Sequence, residues 1–261
     1  MNKNTLLGKS VIHTQWVNYS SFSEATPILI FLHEALGSIP QWRTFPLNLC
    51  QSLNLTGLLI ERTGHGNSSA LHTSRTISYL HEYSIETAEV LRELISPRQK
   101  VILIGHSDGG SIALLMASMQ LSNIHAIVTM AAHTFVEDIT VAGINTAVQA
   151  FEEGKLRGLQ KYHAEKTNPL FKAWFETWLS EEFQSWDIRK EIQNISTPVY
   201  ALQGEKDQYG SQKQLDSICE IGNNATVEML SKCGHHPHLD NEKLIVDKIK
   251  NWIINLPNEH H

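Results

Sequence analysis

The sequence has little of what marks several large classes of protein. Only three of its 261 residues are cysteines, and an odd number at unrelated spacings argues against a disulfide framework. No apolar run approaches the length of a membrane span, and the first residues lack the apolar core of a secretion signal. These absences lead us to expect a cytoplasmic protein with no membrane partner.

A cluster of basic residues is also missing. The 21 lysines and arginines stand against 27 aspartates and glutamates, which gives a formal net charge of -6. A chain of this charge offers no electrostatic surface for nucleic acid, so we expect no nucleic-acid partner. Hydrophobic residues make up 41% of the chain, which excludes a disordered or fibrous protein. They suffice for the core of one α/β domain with a modest insertion.

What the chain does contain is an alternation of strand-like and helix-like segments. Short apolar runs with the length of buried strands span residues 27–33, 55–61, 100–105 and 124–131. Segments with a helical spacing of apolar residues separate them, at 40–53, 78–94 and 110–119. The alternating pattern over 11–17 is typical of an antiparallel edge strand or hairpin. Together these segments predict an α/β fold with a mostly parallel sheet and helices on both faces.

The alternation stops at residue 133 and resumes after residue 195. The segment between them, called the insertion below, holds three tryptophans. It is predicted to form two to four amphipathic helices with a break at Asn168-Pro169. We expect a first core part over 1–132, a helical insertion over 133–195 and a second core part over 196–257. The tail, 258–261, is compatible with part of an affinity tag and is set aside.

The most informative motif is Gly105-His106-Ser107-Asp108-Gly109, called the elbow below. It lies between a strand-like run and a helix-forming segment, the context that a nucleophile elbow needs. A serine on such a turn has a strained backbone, and neighbouring glycines let the strand and the helix pack closely around it. The helix that follows directs free N–H groups towards any negative charge that forms nearby. Ser107 is therefore the candidate nucleophile.

Two later loops supply partners for this serine. Asp207 follows a strand-like run over 198–204, and His235 lies between a strand-like run over 225–230 and a closing helix. A hydroxyl is a poor nucleophile at neutral pH and needs a base, for which His235 is the candidate. Asp207 would fix the tautomer of that histidine. The alternatives for these two roles are His236, His238, Glu137 and Asp138.

With nucleophile, acid and histidine in this order, the chain resembles the serine hydrolases of the α/β-hydrolase superfamily, and within it a bacterial, cap-bearing, esterase-like subgroup. The resemblance runs from residue 28 to about residue 254. It is carried by Leu32-His33-Glu34-Ala35-Leu36-Gly37-Ser38, Glu61-Arg62-Thr63-Gly64-His65-Gly66-Asn67-Ser68, the elbow, Gly204-Glu205-Lys206-Asp207 and Gly234-His235-His236-Pro237-His238. It implies an α/β-hydrolase fold in which the insertion forms a helical cap. It also implies that the first histidine of the last motif, His235, is catalytic, while His238 braces the loop or caps the next helix.

The resemblance further implies an oxyanion hole, which needs two backbone donors facing the developing negative charge. One would be the N–H of Asp108, and the other the N–H of Ala35 or Glu34. Glu34 stands where glycine is commoner, and an unpaired carboxylate there would oppose catalysis. We expect a partner such as Arg43 or Arg62 to hold this carboxylate away, unless it contacts a polar part of the substrate. The candidate substrate-binding residues are Glu34, His106 and Arg62.

Other activities compete with this interpretation. The 14 histidines suggest a metal-dependent hydrolase, but the runs His-x-His-x-Asp-His and His-Glu-x-x-His are both absent, so we expect no metal and no cofactor. Dehalogenases and epoxide hydrolases use aspartate where this chain has Ser107. A ligand receptor on the same fold stays open because fold does not fix function. Carbon–carbon bond hydrolase, lactonase, thioesterase and cofactor-free haloperoxidase activities also stay open.

The sequence therefore predicts a serine hydrolase of the carboxylesterase type. It would cleave esters or related acyl bonds of a small molecule through an acyl-enzyme formed on Ser107. The aromatic insertion predicts an apolar acyl chamber and a preference for compact acyl groups over long lipid chains.

Overall fold

The computed structural model describes residues 1–256, so the predicted tail 258–261 and the last residue of the second core part lie outside the described residues. Within them, eight strands form one sheet. The strands are β1 (Asn2–Leu7), β2 (Ser10–Val17), β3 (Ile28–Leu32), β4 (Gly57–Glu61), β5 (Val101–His106), β6 (Ile124–Met130), β7 (Val199–Gly204) and β8 (Ala225–Leu230).

Eleven α-helices accompany the sheet in residues 1–256. They are α1 (Phe45–Leu53), α2 (Tyr79–Leu94), α3 (Asp108–Ser118), α4 (Asp138–Glu152), α5 (Gln160–His163), α6 (Thr167–Leu179), α7 (Glu181–Gln184), α8 (Arg189–Ile192), α9 (Gln212–Cys219), α10 (Pro237–Asp240) and α11 (Glu242–Ile254). None of the helices in this part of the chain is long and apolar enough to cross a membrane.

The strand order is β1-β2-β4-β3-β5-β6-β7-β8. The first two strands form an antiparallel hairpin, and β2 pairs antiparallel with β4, while the strands from β3 to β8 run parallel. The predicted mostly parallel α/β sheet is therefore confirmed. The carboxyl ends of parallel strands lie at the same edge of a sheet, so the loops after β3, β5, β6, β7 and β8 converge there.

The strands β3, β4, β5 and β7 are buried along their whole length. Along β3, Ile28, Ile30 and Leu32 belong to one hydrophobic cluster, and Leu29 and Phe31 belong to a second cluster on the opposite face. Because successive side chains of a strand point to opposite faces, a sheet covered by helices on both sides favours apolar residues at most positions. This is why these strands are recognisable in the sequence as short, mostly apolar runs.

The insertion enters between β6 and β7. It contains five α-helices within the described residues, α4 to α8, where two to four were predicted, and α5, α7 and α8 have only four residues each. The predicted break at Asn168-Pro169 is wrong, because both residues lie in the first turn of α6, Thr167–Leu179. Proline is tolerated there since the N–H groups of a first turn have no partner within the helix.

The elbow brings three backbone segments into close contact. A Cβ built on Gly105 would lie 2.2 Å from the carbonyl oxygen of Gly109, and one built on Gly109 would lie 1.9 Å from the carbonyl oxygen of Leu32. Real side chains do not approach backbone atoms this closely, so only glycine fits at these two positions. The first turn of α3 is thereby packed against the ends of both β5 and β3.

We predict that Gly109→Ala destabilises the protein strongly, because the obstructing atom belongs to the backbone of β3 and cannot rotate away. The free energy of unfolding should fall by about 3 kcal/mol or more, the upper range for overpacking of a rigid interior. Equilibrium urea denaturation measures this change. Gly158→Ala is the matched control, because a Cβ built there has no atom within 4 Å. Equal stability of the two variants would contradict the packing argument.

Candidate active site

Ser107 occupies the turn between β5 and α3. Its backbone angles are φ 52° and ψ -120°, a strained region for a residue with a side chain. The N–H of Ser107 donates to the carbonyl of Met130 at 2.8 Å, which ties the turn to the end of β6. Its hydroxyl lies 2.9 Å from Nε2 of His235. The strain thus accompanies a hydroxyl held within hydrogen-bonding reach of an imidazole.

His235 is bonded on its other side to a carboxylate. Its Nδ1 lies 2.9 Å and 2.8 Å from the two oxygens of Asp207. A carboxylate only accepts, so Nδ1 carries the proton and Nε2 presents a lone pair to the hydroxyl of Ser107. Both side chains are buried, which shields this line of hydrogen bonds from water. The arrangement can therefore accept a proton from Ser107 and return it to another group.

The carboxylate of Asp207 is held in its ionised form. Burial alone would raise the pKa of Asp207, but the hydrogen bond and the charge of His235, together with the N–H of Tyr209, outweigh it and lower the pKa. Gln203 adds a further hydrogen bond, from Nε2 to Oδ2 at 2.6 Å. An ionised, fully bonded carboxylate orients the imidazole and stabilises its protonated form.

The alternative residues for these roles lie elsewhere. Glu137 accepts hydrogen bonds from the N–H of Ser211 at 3.0 Å and from Gln214 at 2.8 Å at the start of α4. Asp138 lies exposed in the first turn of that helix. His238 is buried, and its ring packs 4.9 Å from that of Trp42. The structure thus brings Ser107, His235 and Asp207 together, and these alternatives take no part in the hydrogen bonds that join the three.

A cavity of about 100 Å³ adjoins Ser107 and is called the serine cavity below. Its floor includes Ala35 and Asp108, whose backbone N–H groups are the predicted oxyanion donors. Asp108 is the first residue of α3, so its N–H has no acceptor within the helix. Side chains of the insertion cover the cavity, namely Thr140, Ile144, Trp174 and Trp178.

The carboxylate of Glu34 is paired with His236. Oε2 of Glu34 lies 3.1 Å from Nε2 of His236, and the two side chains are 20% and 35% exposed. The expectation that Arg43 or Arg62 holds this carboxylate is therefore wrong. Burial alone would raise the pKa of Glu34 and lower that of His236, but their mutual attraction reverses both shifts. This pairing neutralises the negative charge that stands beside the predicted oxyanion hole.

Two candidate substrate-binding residues have other roles. Arg62 is fully buried, and its guanidinium donates to the carbonyls of His33 and Glu34 at 2.5 Å and 2.8 Å, so the expected contact with substrate is wrong. His106 donates from Nε2 to the carbonyl of His235 at 2.7 Å. Its ring borders a neighbouring cavity of about 160 Å³, which shares Glu34 and His236 with the serine cavity. Only Glu34, among the three candidates, borders the serine cavity.

Sequence reasoning missed a buried hydrogen-bonded chain behind the elbow. Nε1 of Trp178 donates to the hydroxyl of Tyr79 at 2.7 Å, and that hydroxyl donates to Oδ2 of Asp108 at 2.8 Å. The chain connects the insertion to the residue that follows Ser107. The signal in the sequence was the aromatic content of the insertion, which predicts an apolar acyl chamber but does not indicate this hydrogen bond.

One group of side chains within residues 1–256 has the composition of a metal site. Ligand atoms of Glu34, His106 and His235 lie within 4.8 Å of one another. Both ring nitrogens of His235 are already bonded, to Asp207 and to Ser107. A metal ion bound there would have to displace these hydrogen bonds, so the donor set fits acid–base chemistry better than metal binding.

The chain is similar to known proteins in sequence and in fold. A sequence model of the alpha/beta hydrolase family matches residues 29–248. Among solved structures, MGS-M2, an alpha/beta hydrolase enzyme from a Medee basin deep-sea metagenome library, is 16% identical with a TM-score of 0.78, over 99% of this chain and 100% of that one. A meta-cleavage product hydrolase from Pseudomonas fluorescens IP01 is 14% identical with a TM-score of 0.74, over 98% of each chain.

A third similar structure is a proline iminopeptidase from Mycobacterium smegmatis. It is 13% identical with a TM-score of 0.70, over 97% of this chain and 98% of that one. No curated protein matches the chain by sequence. At these identities the likeness to the solved structures is a likeness of fold, and their printed activities belong to those proteins.

We predict that Glu34→Gln lowers the free energy of unfolding in a pH-dependent way. The pKa of His236 is raised in the folded protein. The contribution of His236 to the free energy of unfolding is therefore complete below pH 6.5, its ordinary pKa, and is lost as the pH rises through the raised pKa. The lowered pKa of Glu34 keeps that carboxylate ionised in mild acid. The difference between wild type and variant should therefore be larger at pH 5.5 than at pH 9, as measured by urea denaturation.

Glu153→Gln is the control for this measurement, because Glu153 pairs with Lys155 at the surface. This pair lies away from Glu34 and His236, so the stability difference for Glu153→Gln should be the same at pH 5.5 and at pH 9. A stability difference for Glu34→Gln that grows towards pH 9 would show that the pair does not form.

Proposed function

The chain belongs to the alpha/beta hydrolase family, and from this premise we propose that it is a serine hydrolase that cleaves carboxylic esters or closely related acyl bonds of small molecules. The observation that carries the proposal is the buried line of hydrogen bonds from Asp207 through His235 to Ser107. The strained serine borders the serine cavity, which side chains of the insertion also line.

In the proposed reaction, the hydroxyl oxygen of Ser107 attacks the ester carbonyl carbon while Nε2 of His235 takes the hydroxyl proton. The carbonyl oxygen becomes negatively charged and accepts hydrogen bonds from the N–H groups of Asp108 and Ala35. When the carbon–oxygen bond of the ester breaks, His235 gives its proton to the leaving alcohol. Water then attacks the acyl-enzyme by the same steps and releases the acid.

The serine cavity favours a compact acyl group. Its volume of about 100 Å³ is small beside the several hundred Å³ of ordinary ligand pockets. Trp174, Trp178 and Ile144 are buried as well as lining it, so enlargement requires their displacement from packed positions. Leu36, Ile144, Trp174 and Trp178 form an apolar part of the lining that suits a short hydrocarbon chain. The polar side chains that also line the cavity, besides the catalytic groups, are Glu34, His133, Thr140, Gln208 and His236.

Thioesters, lactones and activated carbon–carbon bonds can be cleaved by the same three side chains, and a panel of these compounds tests which bond is preferred. Loss of a proton from Ser107, stabilisation of an oxyanion and release of the leaving group are common to all of them. A receptor that only binds its ligand would turn over none of the panel.

We predict that Ser107→Ala lowers ester turnover about a millionfold and that His235→Ala approaches the same loss, because members of a triad act as a unit. Asp207→Asn should lower turnover about ten-thousandfold, by analogy with the trypsin triad, in which the change of aspartate to asparagine leaves the histidine in the wrong tautomer. Turnover of p-nitrophenyl acetate by folded protein measures these losses.

Asp138→Asn, His236→Ala and His238→Ala are the controls, and each should retain far more activity than the corresponding triad variant. Labelling by a fluorophosphonate should mark wild type and the controls but leave Ser107→Ala unmarked. More than about a tenth of wild-type activity in Ser107→Ala would identify a different nucleophile.

We predict that the rate on p-nitrophenyl esters falls from acetate or butyrate towards palmitate, because a long chain cannot enter the serine cavity without displacing buried tryptophans. The specificity constant for each ester, measured below its solubility limit, gives the comparison. Trp174, which also lines the cavity, offers the matched variant: Trp174→Phe keeps a ring and opens space, so it should shift the optimum to longer chains. Faster hydrolysis of emulsified long-chain triglyceride than of short soluble esters would contradict the size argument.

A further inference from the structure

The peptide group between Glu34 and Ala35 is held from one side by two buried side chains. The carbonyl of Glu34 accepts a hydrogen bond from Nη2 of Arg62 at 2.8 Å and another from Nδ1 of His33 at 2.7 Å. Arg62 also donates through Nη1 to the carbonyl of His33 at 2.5 Å. Two successive carbonyls of the loop after β3 are thus fixed by one guanidinium.

The protonation of His33 is consistent with this role. Its Nε2 accepts a hydrogen bond from the backbone N–H of Arg62 at 3.3 Å, so the proton of the ring lies on Nδ1, which donates to Glu34. Burial and the nearby charge of Arg62 hold the pKa of His33 well below its usual range. The imidazole is therefore neutral, with one nitrogen donating and the other accepting.

Fixing this carbonyl also fixes the N–H on the other side of the same peptide bond. A trans peptide group is planar, and its C=O and N–H point in opposite directions. No cis peptide bond occurs in the described part of the chain, residues 1–256. Donors that pull the carbonyl of Glu34 away from the serine cavity therefore turn the N–H of Ala35 the opposite way, and Ala35 borders that cavity.

Arg62 reaches this position because of the sheet register. It directly follows β4, which pairs parallel with β3, and Leu32 stands opposite Ile60. The two chains leave the sheet side by side, so Arg62 emerges next to His33. Its guanidinium packs 5.2 Å from the ring of Tyr83 and is fully buried.

A buried guanidinium is costly to desolvate, so a contribution to stability alone accounts poorly for its burial at this position. Hydrogen bonds from a cation are about twice as strong as those between neutral groups. They also polarise the peptide group that accepts them, which strengthens its N–H as a donor. These effects would all act on the N–H of Ala35.

We propose that Arg62, assisted by His33, is a positioning residue that aims the N–H of Ala35 at the oxyanion formed on the substrate. The proposal rests on the proposed function, since it assumes attack by Ser107 on a carbonyl or phosphoryl centre. Arg62 contacts neither the substrate nor Ser107, and it acts only through the Glu34–Ala35 peptide group.

The test is Arg62→Lys, which keeps the charge but replaces a two-pronged donor by a single ammonium that cannot serve both carbonyls. Complete loss of an oxyanion donor costs about 100-fold to 1000-fold in kcat, so misdirection of one should cost about 10-fold to 100-fold. We expect this loss in kcat for p-nitrophenyl acetate, with KM changed less than about threefold because the donor binds the transition state rather than the substrate. The rate constant for labelling of Ser107 by a fluorophosphonate should fall by the same factor.

Arg75→Lys is the matched control. The guanidinium of Arg75 is also buried, and it packs 4.7 Å from the ring of Tyr79 and 5.7 Å from that of Tyr83. No hydrogen bond joins it to the carbonyl of Glu34 in the part of the chain that the structure describes. Arg75→Lys should therefore lower the melting temperature but keep kcat and the labelling rate within about threefold of wild type.

Equal losses of kcat in the two arginine variants, or an unchanged kcat in folded Arg62→Lys, would overturn the proposal. If Arg62→Lys does not fold, His33→Phe removes the second donor to the same carbonyl and keeps the ring. It should lower kcat about tenfold at constant KM, and an unchanged kcat there would also overturn the proposal. If the wild-type protein is labelled by the fluorophosphonate but hydrolyses no acyl bond, only the proposed function is contradicted, because the labelling rate still tests the role of Arg62. If the wild-type protein is not labelled, the proposed function and the role of Arg62 are both contradicted.

Discussion

The contact of the first turn of α3 with the ends of β3 and β5 is the constraint on which the rest of the site depends. Gly109 touches the backbone at Leu32, and Gly105 touches the backbone of that turn. This contact holds Ser107 in its strained conformation and sets the N–H of Asp108 beside the loop that carries Ala35. Two loops that are distant in the chain thus meet at the same edge of the sheet with little freedom to separate.

Features encoded over a few neighbouring residues were predictable from the sequence. The strands β3 to β7 are mostly apolar because both faces of the sheet are covered, and their bounds agree with the predicted runs to within two residues. The elbow is predictable because its glycines are required by a local close approach. The meeting of Ser107 with Asp207 and His235 followed from the order of the motifs along a parallel sheet.

Features that depend on contacts between distant residues were not predictable in this way. Glu34 and His236 are 202 positions apart, and nothing near either residue indicates the other. Arg62 was expected at the substrate as a polar group near the mouth of the cavity, and nothing in the sequence indicates the two backbone carbonyls to which it bonds. The tryptophans of the insertion are visible in the sequence, but nothing there indicates that Trp178 bonds to Tyr79.

The covering of the serine cavity has a consequence for how its specificity can change. Trp174 and Trp178 belong to the same hydrophobic cluster as Ile28 of the central sheet, so the walls of the serine cavity are also part of the interior that stabilises the fold. Substitutions that admit larger substrates therefore create cavities or expose apolar surface at the same time. Diversification of this enzyme towards bulkier acyl groups would proceed most easily from a background that has first gained spare stability elsewhere.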